Sequence, residues 1–183
     1  MILDRLLRFS QNQNLAQVVG SYASTDVIDF GLGTSTDPAI PTNAQGGGVR
    51  DMGIGDSPAL KLLVQVITAF TSGGAATMSV TLQGAPDDGT GAPGAFVDWW
   101  TSPVYALATL AVAGARLLNI DWPRPPAGVI NQRFFRLNYT IAGATTTAGT
   151  VSSWVVVDRN DQMYYGTNNA VNGGYRAGIT IAN

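Results

Sequence analysis

At 183 residues the chain is long enough for one domain whose core removes roughly two thirds of its unfolded surface from water, so no covalent staple is required. It has neither cysteine nor histidine, which excludes disulfides, iron–sulfur clusters, the usual zinc sites and both Ser–His and Cys–His catalysis. The net charge is −2, from 12 acidic residues (all aspartate) set against Lys61 and scattered arginines, so no basic cluster exists to neutralise phosphates and no nucleic-acid partner is expected.

With 12% charged and 45% apolar residues, the surface must be largely uncharged, which suits burial against a protein neighbour. The amino-terminal apolar patches are broken by charge before a signal-peptide core can form. The weakly polar run 104–115 is about half the length of a membrane-spanning helix. A soluble chain of cytoplasmic origin, with no membrane partner, is therefore expected.

Along the chain, Ile2, Leu3, Leu6, Leu7 and Phe9 recur at helical spacing. Residues 1–13 read as a short amphipathic helix or an arm laid on a neighbour, with a segment covering its own core as the plainer alternative. A first strand is predicted over 25–30, followed by a long Gly-, Pro-, Thr- and Asn-rich loop over 31–55. The apolar stretch 59–70, with β-branched Val64, Val66, Ile67 and Thr68, predicts a strand buried on both faces or nearly so. A Gly-rich turn over 71–76 leads to 77–83, where Met78, Val80 and Leu82 alternate with polar residues, and these two strands are expected to pair as an antiparallel hairpin.

Residues 85–95 form another loop, and 97–108 carries Trp99, Trp100 and Tyr105. A short strand over 116–122 is closed by Pro123, Pro125 and Pro126, which cannot donate ladder hydrogen bonds. In 134–141, Phe135, Leu137, Tyr139 and Ile141 share one face and Phe134, Arg136, Asn138 and Thr140 the other. The last strong strand is 151–158. The tail 160–183 is too rich in Gly and Asn to build a core, and reads as an arm or an edge strand with a final alternation at Ile179, Thr180 and Ile181. About eight short strands with Gly- or Pro-containing turns argue for an all-β chain: an antiparallel β-sandwich or jelly roll. The single domain would have its core at about 16–159, an N-terminal arm at 1–13 and a C-terminal tail at 160–183.

Asp87-Asp88-Gly89-Thr90-Gly91 supplies oxygen atoms but lacks the spaced acidic ladder of a calcium loop, and reads as a solvated hairpin loop. Trp99 and Trp100, as strand neighbours, should face opposite ways, leaving one in the core and one available to a partner or a sugar ring. The scattered aspartates single out no acid and base for a glycosidase, and Gly46-Gly47-Gly48 lacks the flanking lysine of a phosphate loop. No catalytic, cofactor-binding or metal-binding residue is assigned, and no small-molecule substrate is expected.

Several stretches together resemble one family, the capsid cement (decoration) proteins on the heads of short-tailed bacteriophages. They are Leu3-Asp4-Arg5-Leu6-Leu7-Arg8-Phe9-Ser10, Ser24-Thr25-Asp26-Val27-Ile28-Asp29 and Arg50-Asp51-Met52-Gly53-Ile54-Gly55, then Val64-Gln65-Val66-Ile67-Thr68-Ala69-Phe70. They continue through Ala115-Arg116-Leu117, Phe135-Arg136-Leu137-Asn138-Tyr139, Thr147-Ala148-Gly149-Thr150-Val151 and Val157-Asp158-Arg159-Asn160-Asp161-Gln162 to Tyr165. Their order and spacing carry the resemblance, which spans nearly the whole chain. The segment 37–49 and the tail after Tyr165 are longer than the family pattern.

The resemblance implies a jelly roll, self-association as a homodimer or homotrimer, and attachment to the outer surface of a major capsid protein lattice, in a virion made in a bacterial cytoplasm. It implies no catalysis. Contact residues are expected in the flanks, at Leu3, Leu6, Leu7, Phe9, Tyr164, Tyr165, Tyr175 and Arg176, and in the loop 34–49. The competing reading is a carbohydrate- or receptor-binding sandwich on a virion, with Trp100 or Tyr105 as the contact.

Overall fold

The computed structural model describes residues 7–30, 60–124, 126–127 and 132–157. These form β1 (Arg8–Asn14), β2 (Gly20–Ala23), β3 (Ile28–Asp29), β4 (Leu60–Ser72), β5 (Thr77–Ala85), β6 (Val97–Thr101) and β7 (Tyr105–Ala106), a single-turn helix α1 (Leu107–Leu110), then β8 (Arg116–Asp121), β9 (Phe134–Ala142) and β10 (Thr146–Val157). The strands build two antiparallel sheets packed face to face as a β-sandwich. One has the order β1-β10-β4-β8; the other has β2-β9-β5-β6, with β3 also on β9 and β7 also on β5.

The period-2 pattern explains which faces meet. Met78, Val80 and Leu82 from β5 and Phe135, Leu137, Tyr139 and Ile141 from β9 are buried, as their alternation predicts, against Leu62, Val64 and Val66 from β4 and Val151 and Val155 from β10. The other face of β4 is only partly covered: Leu63 is buried, but Lys61 and Gln65 are half-exposed and Ile67 is 39% exposed. The expectation of a strand buried on both faces is thus corrected to a strand with one buried face.

The expected β4–β5 hairpin does not form. The two strands lie in opposite sheets, joined by an arch over 73–76. Each is already matched along its length by another partner, β4 by β10 from Leu60↔Val157 to Ser72↔Thr146, and β5 by β9 from Thr77↔Ala142 to Ala85↔Phe134. Facing each other across the sandwich, β4 and β5 bury their apolar sides mutually.

A second arch, 143–145, joins β9 to β10 and stacks on the first, with Ser72 Oγ donating to the Thr145 carbonyl at 2.7 Å. Gly143 permits the stacking. Its φ is +78°, and a Cβ there would lie 2.3 Å from the Ala75 carbonyl oxygen.

Residues 8–14 form a strand, not a helix or free arm. β1 pairs with β10 through Arg8↔Trp154 and Asn14↔Thr150, and Phe9 is fully buried. The register shifts between Ser10 and Gln13, where Asn12 adopts φ +49° and its N–H donates to Ser152 Oγ at 2.8 Å. Beneath this bulge lies a polar thread. Ser10 Oγ donates to Gln13 Oε1 at 2.6 Å, so the 2.9 Å contact between Tyr139 and Ser10 is donated by the phenol, which in turn accepts from Ser153 Oγ at 2.8 Å. Tyr139, on β9, is therefore bonded to both β1 and β10 of the facing sheet. Burial pushes its phenol up to about 12, against the two serine contacts that lower it.

Gly143→Ala is expected to lower the thermal midpoint by roughly 2–12 °C, whereas Gly73→Ala, with open space around its Cβ, should be close to neutral. Calorimetry of the two variants checks this. Tyr139 gives a second prediction. The phenol ionises near 10 once the chain unfolds but stays protonated to about 12 while it is folded. Its contribution is complete below pH 10 and is lost as pH rises from 10 through 12. Urea midpoints of the native chain should fall across that window. Tyr139→Phe should be about 1–3 kcal/mol less stable at pH 7, because Ser10 and Ser153 lose their partner, and should lack this part of the alkaline loss.

Candidate functional site

Of the residues expected to make contacts, two lie in the described part of the chain. Leu7 is half-buried and packs against the core, while Phe9 is enclosed within it. Phe9 is accordingly a core residue of its own chain and is corrected out of the contact set: β1 pairing turns its ring inward. Leu3, Leu6, Tyr164, Tyr165, Tyr175 and Arg176, and the loop 34–49, lie outside the described residues. Their roots are nevertheless located. β1 begins beside the end of β10, so the chain enters and leaves the sandwich at the same end.

That end is where charge concentrates. Arg133 reaches Asp29 with a two-pronged contact, Nε to Oδ1 at 2.7 Å and Nη2 to Oδ2 at 2.8 Å, and donates through Nη1 to Asp87. These bonds hold the guanidinium firmly protonated and pull the base of the 86–96 loop against β3. Arg8 likewise donates to Asp26 at 2.8 Å.

The Asp87 and Asp88 carboxylates are turned onto their own loop. Asp87 Oδ1 accepts from the Gly89 and Gly91 amides at 2.7 and 3.0 Å, and Asp88 Oδ1 from the Thr90 amide and hydroxyl, both at 2.7 Å. The backbone bonds from Gly89 and Gly91 hold Asp87 below the usual carboxylate range, and the Thr90 hydroxyl and amide do the same for Asp88. This is the bonding of a self-capped turn. Among the described residues, no group of three acidic side chains could hold a metal ion.

The tryptophans depart from expectation. β6 bulges where Leu82↔Trp100 gives way to Gln83↔Asp98, so Trp99 is the extra residue and both indoles pack against the core. Neither is the free platform that strict alternation predicts. The Trp99 Nε1–H donates to the Pro123 carbonyl at 2.9 Å, and its ring meets Phe135 edge-on at 5.0 Å in a cluster with Phe30 and Trp122. Tyr105 is committed too: its hydroxyl donates to the Leu117 carbonyl at 2.6 Å, bridging the β7 edge of one sheet to the β8 edge of the other. Burial raises this phenol above its ordinary range.

The roles of Tyr139, Arg133 and Phe30 are not announced by any short motif. Each depends on partners more than a hundred residues away, such as Ser10 for Tyr139 and Asp29 for Arg133. Among the described residues, no helix is long and apolar enough to cross a membrane.

The described chain is thus an antiparallel β-sandwich whose aromatic and charged groups are spent on closing the ends of its sheets. Residues 9–155 match the family model Bbp16, so the chain belongs to the Bbp16 family, a match that points to a phage or virion type of protein. No curated protein matches.

The aromatic cluster carries a prediction. Trp99→Ala should lower stability by about 2–4 kcal/mol, since it removes ring packing and leaves the Pro123 carbonyl unpaired. Chemical denaturation checks this. An unchanged midpoint would show the indole to be dispensable for packing.

Proposed function

We propose that this protein is a capsid cement protein, a non-enzymatic virion component that binds the outer surface of a major capsid protein lattice and stabilises the head against internal genome pressure. The observation that carries the reading is the extent of the family match. Residues 9–155 begin within β1 and end within β10, so the unit the family shares is the whole closed sandwich. Such a unit suits a scaffold. The strand order supports the finer reading of a jelly roll, because β1-β10-β4-β8 facing β2-β9-β5-β6 has eight principal strands whose connections cross repeatedly between sheets.

The mechanism is mechanical. A clamp across junctions between capsomers opposes their separation, and a symmetric oligomer engages several capsid subunits at once, so each contact can be modest. Attachment is assigned to the flanks, at Leu3, Leu6, Tyr164, Tyr165, Tyr175 and Arg176, with the loop 34–49. The flanks lie largely outside the shared unit and are free to be matched to one lattice. The competing glycan-binding reading loses its leading contacts, because Trp100 packs against the core and the Tyr105 hydroxyl is occupied.

The burial of Phe9 sets where a truncation must stop. Deleting 163–183, and separately 1–6, should leave the thermal transition of the isolated protein within a few degrees of native, while lowering its occupancy on capsids stripped of cement protein, measured by co-sedimentation. Unchanged occupancy of both truncations would move attachment to a sheet face or to 34–49. A full-length chain that binds no capsid of its phage, but gives signal on a glycan array, would overturn the cement reading.

A further inference from the structure

Asp88-Gly89 is the only Asp-Gly step in the sequence. Such a step is labile in a free chain, because glycine has no side chain to shield its amide nitrogen from the neighbouring carboxyl carbon. The Gly89 nitrogen loses its proton and bonds to the Asp88 carboxyl carbon, and one carboxyl oxygen leaves as water, which closes a five-membered succinimide. Water then opens that ring at either carbonyl. One opening restores aspartate. The other leaves the main chain running through the former side-chain carboxyl carbon, one carbon longer and with a free α-carboxylate. Water is the only co-reactant.

The turn does not readily escape this step by a change of residue. Gly89 has φ +91°, where any side chain is strained. Asp88 is needed as well: its Oδ1 accepts from the Thr90 amide and hydroxyl, both at 2.7 Å, and from the Ala92 amide at 3.3 Å. The same bonding restrains the reaction. The Gly89 amide, which would supply the attacking nitrogen, donates to Asp87 Oδ1 at 2.7 Å, so that bond must be given up before the nitrogen can lose its proton and attack. Rotating the Asp88 carboxyl group breaks its bonds to Thr90 and Ala92. The Thr90 hydroxyl and amide also hold Asp88 below the usual carboxylate range, whereas it is the protonated carboxyl that loses water. At the preceding step, Asp87-Asp88, the Asp88 amide is likewise taken, donating to the Ala92 carbonyl at 3.0 Å.

We propose that the 86–96 loop is built to guard its own Asp-Gly step against isomerisation, with Asp87 as the residue that keeps the Gly89 nitrogen from attacking Asp88. Asp87 has two tasks: Oδ2 meets Arg133 at the base of the loop, and Oδ1 holds the amides of Gly89 and Gly91 at its tip. Isomerisation would lengthen the turn by one backbone carbon and take the Asp88 carboxylate away from Thr90 and Ala92, dismantling the cap. This protection holds whatever the protein binds, and it suits a virion component, which is not renewed after assembly.

The test incubates the full-length chain for weeks at physiological temperature and pH, and counts isoaspartate at residue 88 by peptide mapping and by an isoaspartyl-specific methyltransferase. It should accumulate at least about tenfold more slowly in the native chain than in a synthetic peptide of residues 84–94. Asp87→Ala should bring the rate to within about threefold of the peptide. Arg133→Gln, which releases the base of the loop without touching the bond from Gly89 to Asp87, should stay at least about fivefold slower than Asp87→Ala. Equal rates in native chain and peptide overturn the proposal, as does an Asp87→Ala chain that isomerises as slowly as native. An Arg133→Gln chain as fast as Asp87→Ala would trace the protection to the general rigidity of the loop and overturn the role given to Asp87. If Asp87→Ala does not fold, hydrogen exchange at the Gly89 amide of the native chain decides. It should be at least about tenfold slower than in the peptide, and peptide-like exchange overturns the guard.

Discussion

One phenol fixes how the two sheets of this sandwich sit on each other. Tyr139 projects from β9 through the core and is hydrogen-bonded to Ser10 on β1 and Ser153 on β10. A polar atom placed there is costly unless it is satisfied, and once satisfied it tolerates few alternatives. Apolar faces alone leave room for one sheet to slide against the other, whereas a hydroxyl that must meet two serines does not. The same requirement reaches the edge of the molecule. The Ser10 hydroxyl donates to Gln13 Oε1, and the Gln13 amide donates to the Ala23 carbonyl, so the bulge at Asn12 and the first strand of the second sheet are tied to one buried contact.

The strand-rich middle is legible because alternation needs only local information. Met78, Val80 and Leu82, and Phe135 through Ile141, declare a buried face within a few residues, and the faces are as declared. What fails is whatever depends on partners. The hairpin expected of β4 and β5 was plausible from a Gly-rich turn, but a turn joining two strands of one sheet and an arch joining two sheets have similar composition. The choice is made by β9 and β10, far along the chain. Helical spacing at the amino terminus misleads for a related reason. Phe9 falls on it by coincidence, and the pairing of β1 with β10 overrides a weak local preference. At Trp99 and Trp100 a single inserted residue breaks the alternation that the expectation relies on.

The proposed cement function asks for a rigid centre with specialised ends, and the side chains are distributed in that way. At one end Arg133 gathers Asp29 and Asp87, binding β3 and the 86–96 loop into the root from which the flanks depart. At the other, the turns carry no charge and are built largely of small and uncharged residues. The open sides between the sheets are closed by Tyr105 on one side and by Arg8 with Asp26 on the other, so the sandwich needs no disulfide to keep its layers together.

The position of β10 governs when this molecule can come into being. It is the last described strand, yet it lies in the interior of its sheet, between β1 and β4. While the ribosome is still making residues 146–157, β1 has no neighbour in its sheet and β4 has only β8, although Phe9, Leu62, Val64 and Val66 have long since emerged. Contacts such as Arg8↔Trp154 span almost the whole described chain, and long-range pairing of this kind is slow to nucleate. Closure of the sandwich is therefore withheld until β10 has been made. A chain interrupted before β10 can form the sheet β2-β9-β5-β6 but not the one that covers it, and its exposed apolar face marks it for proteolysis.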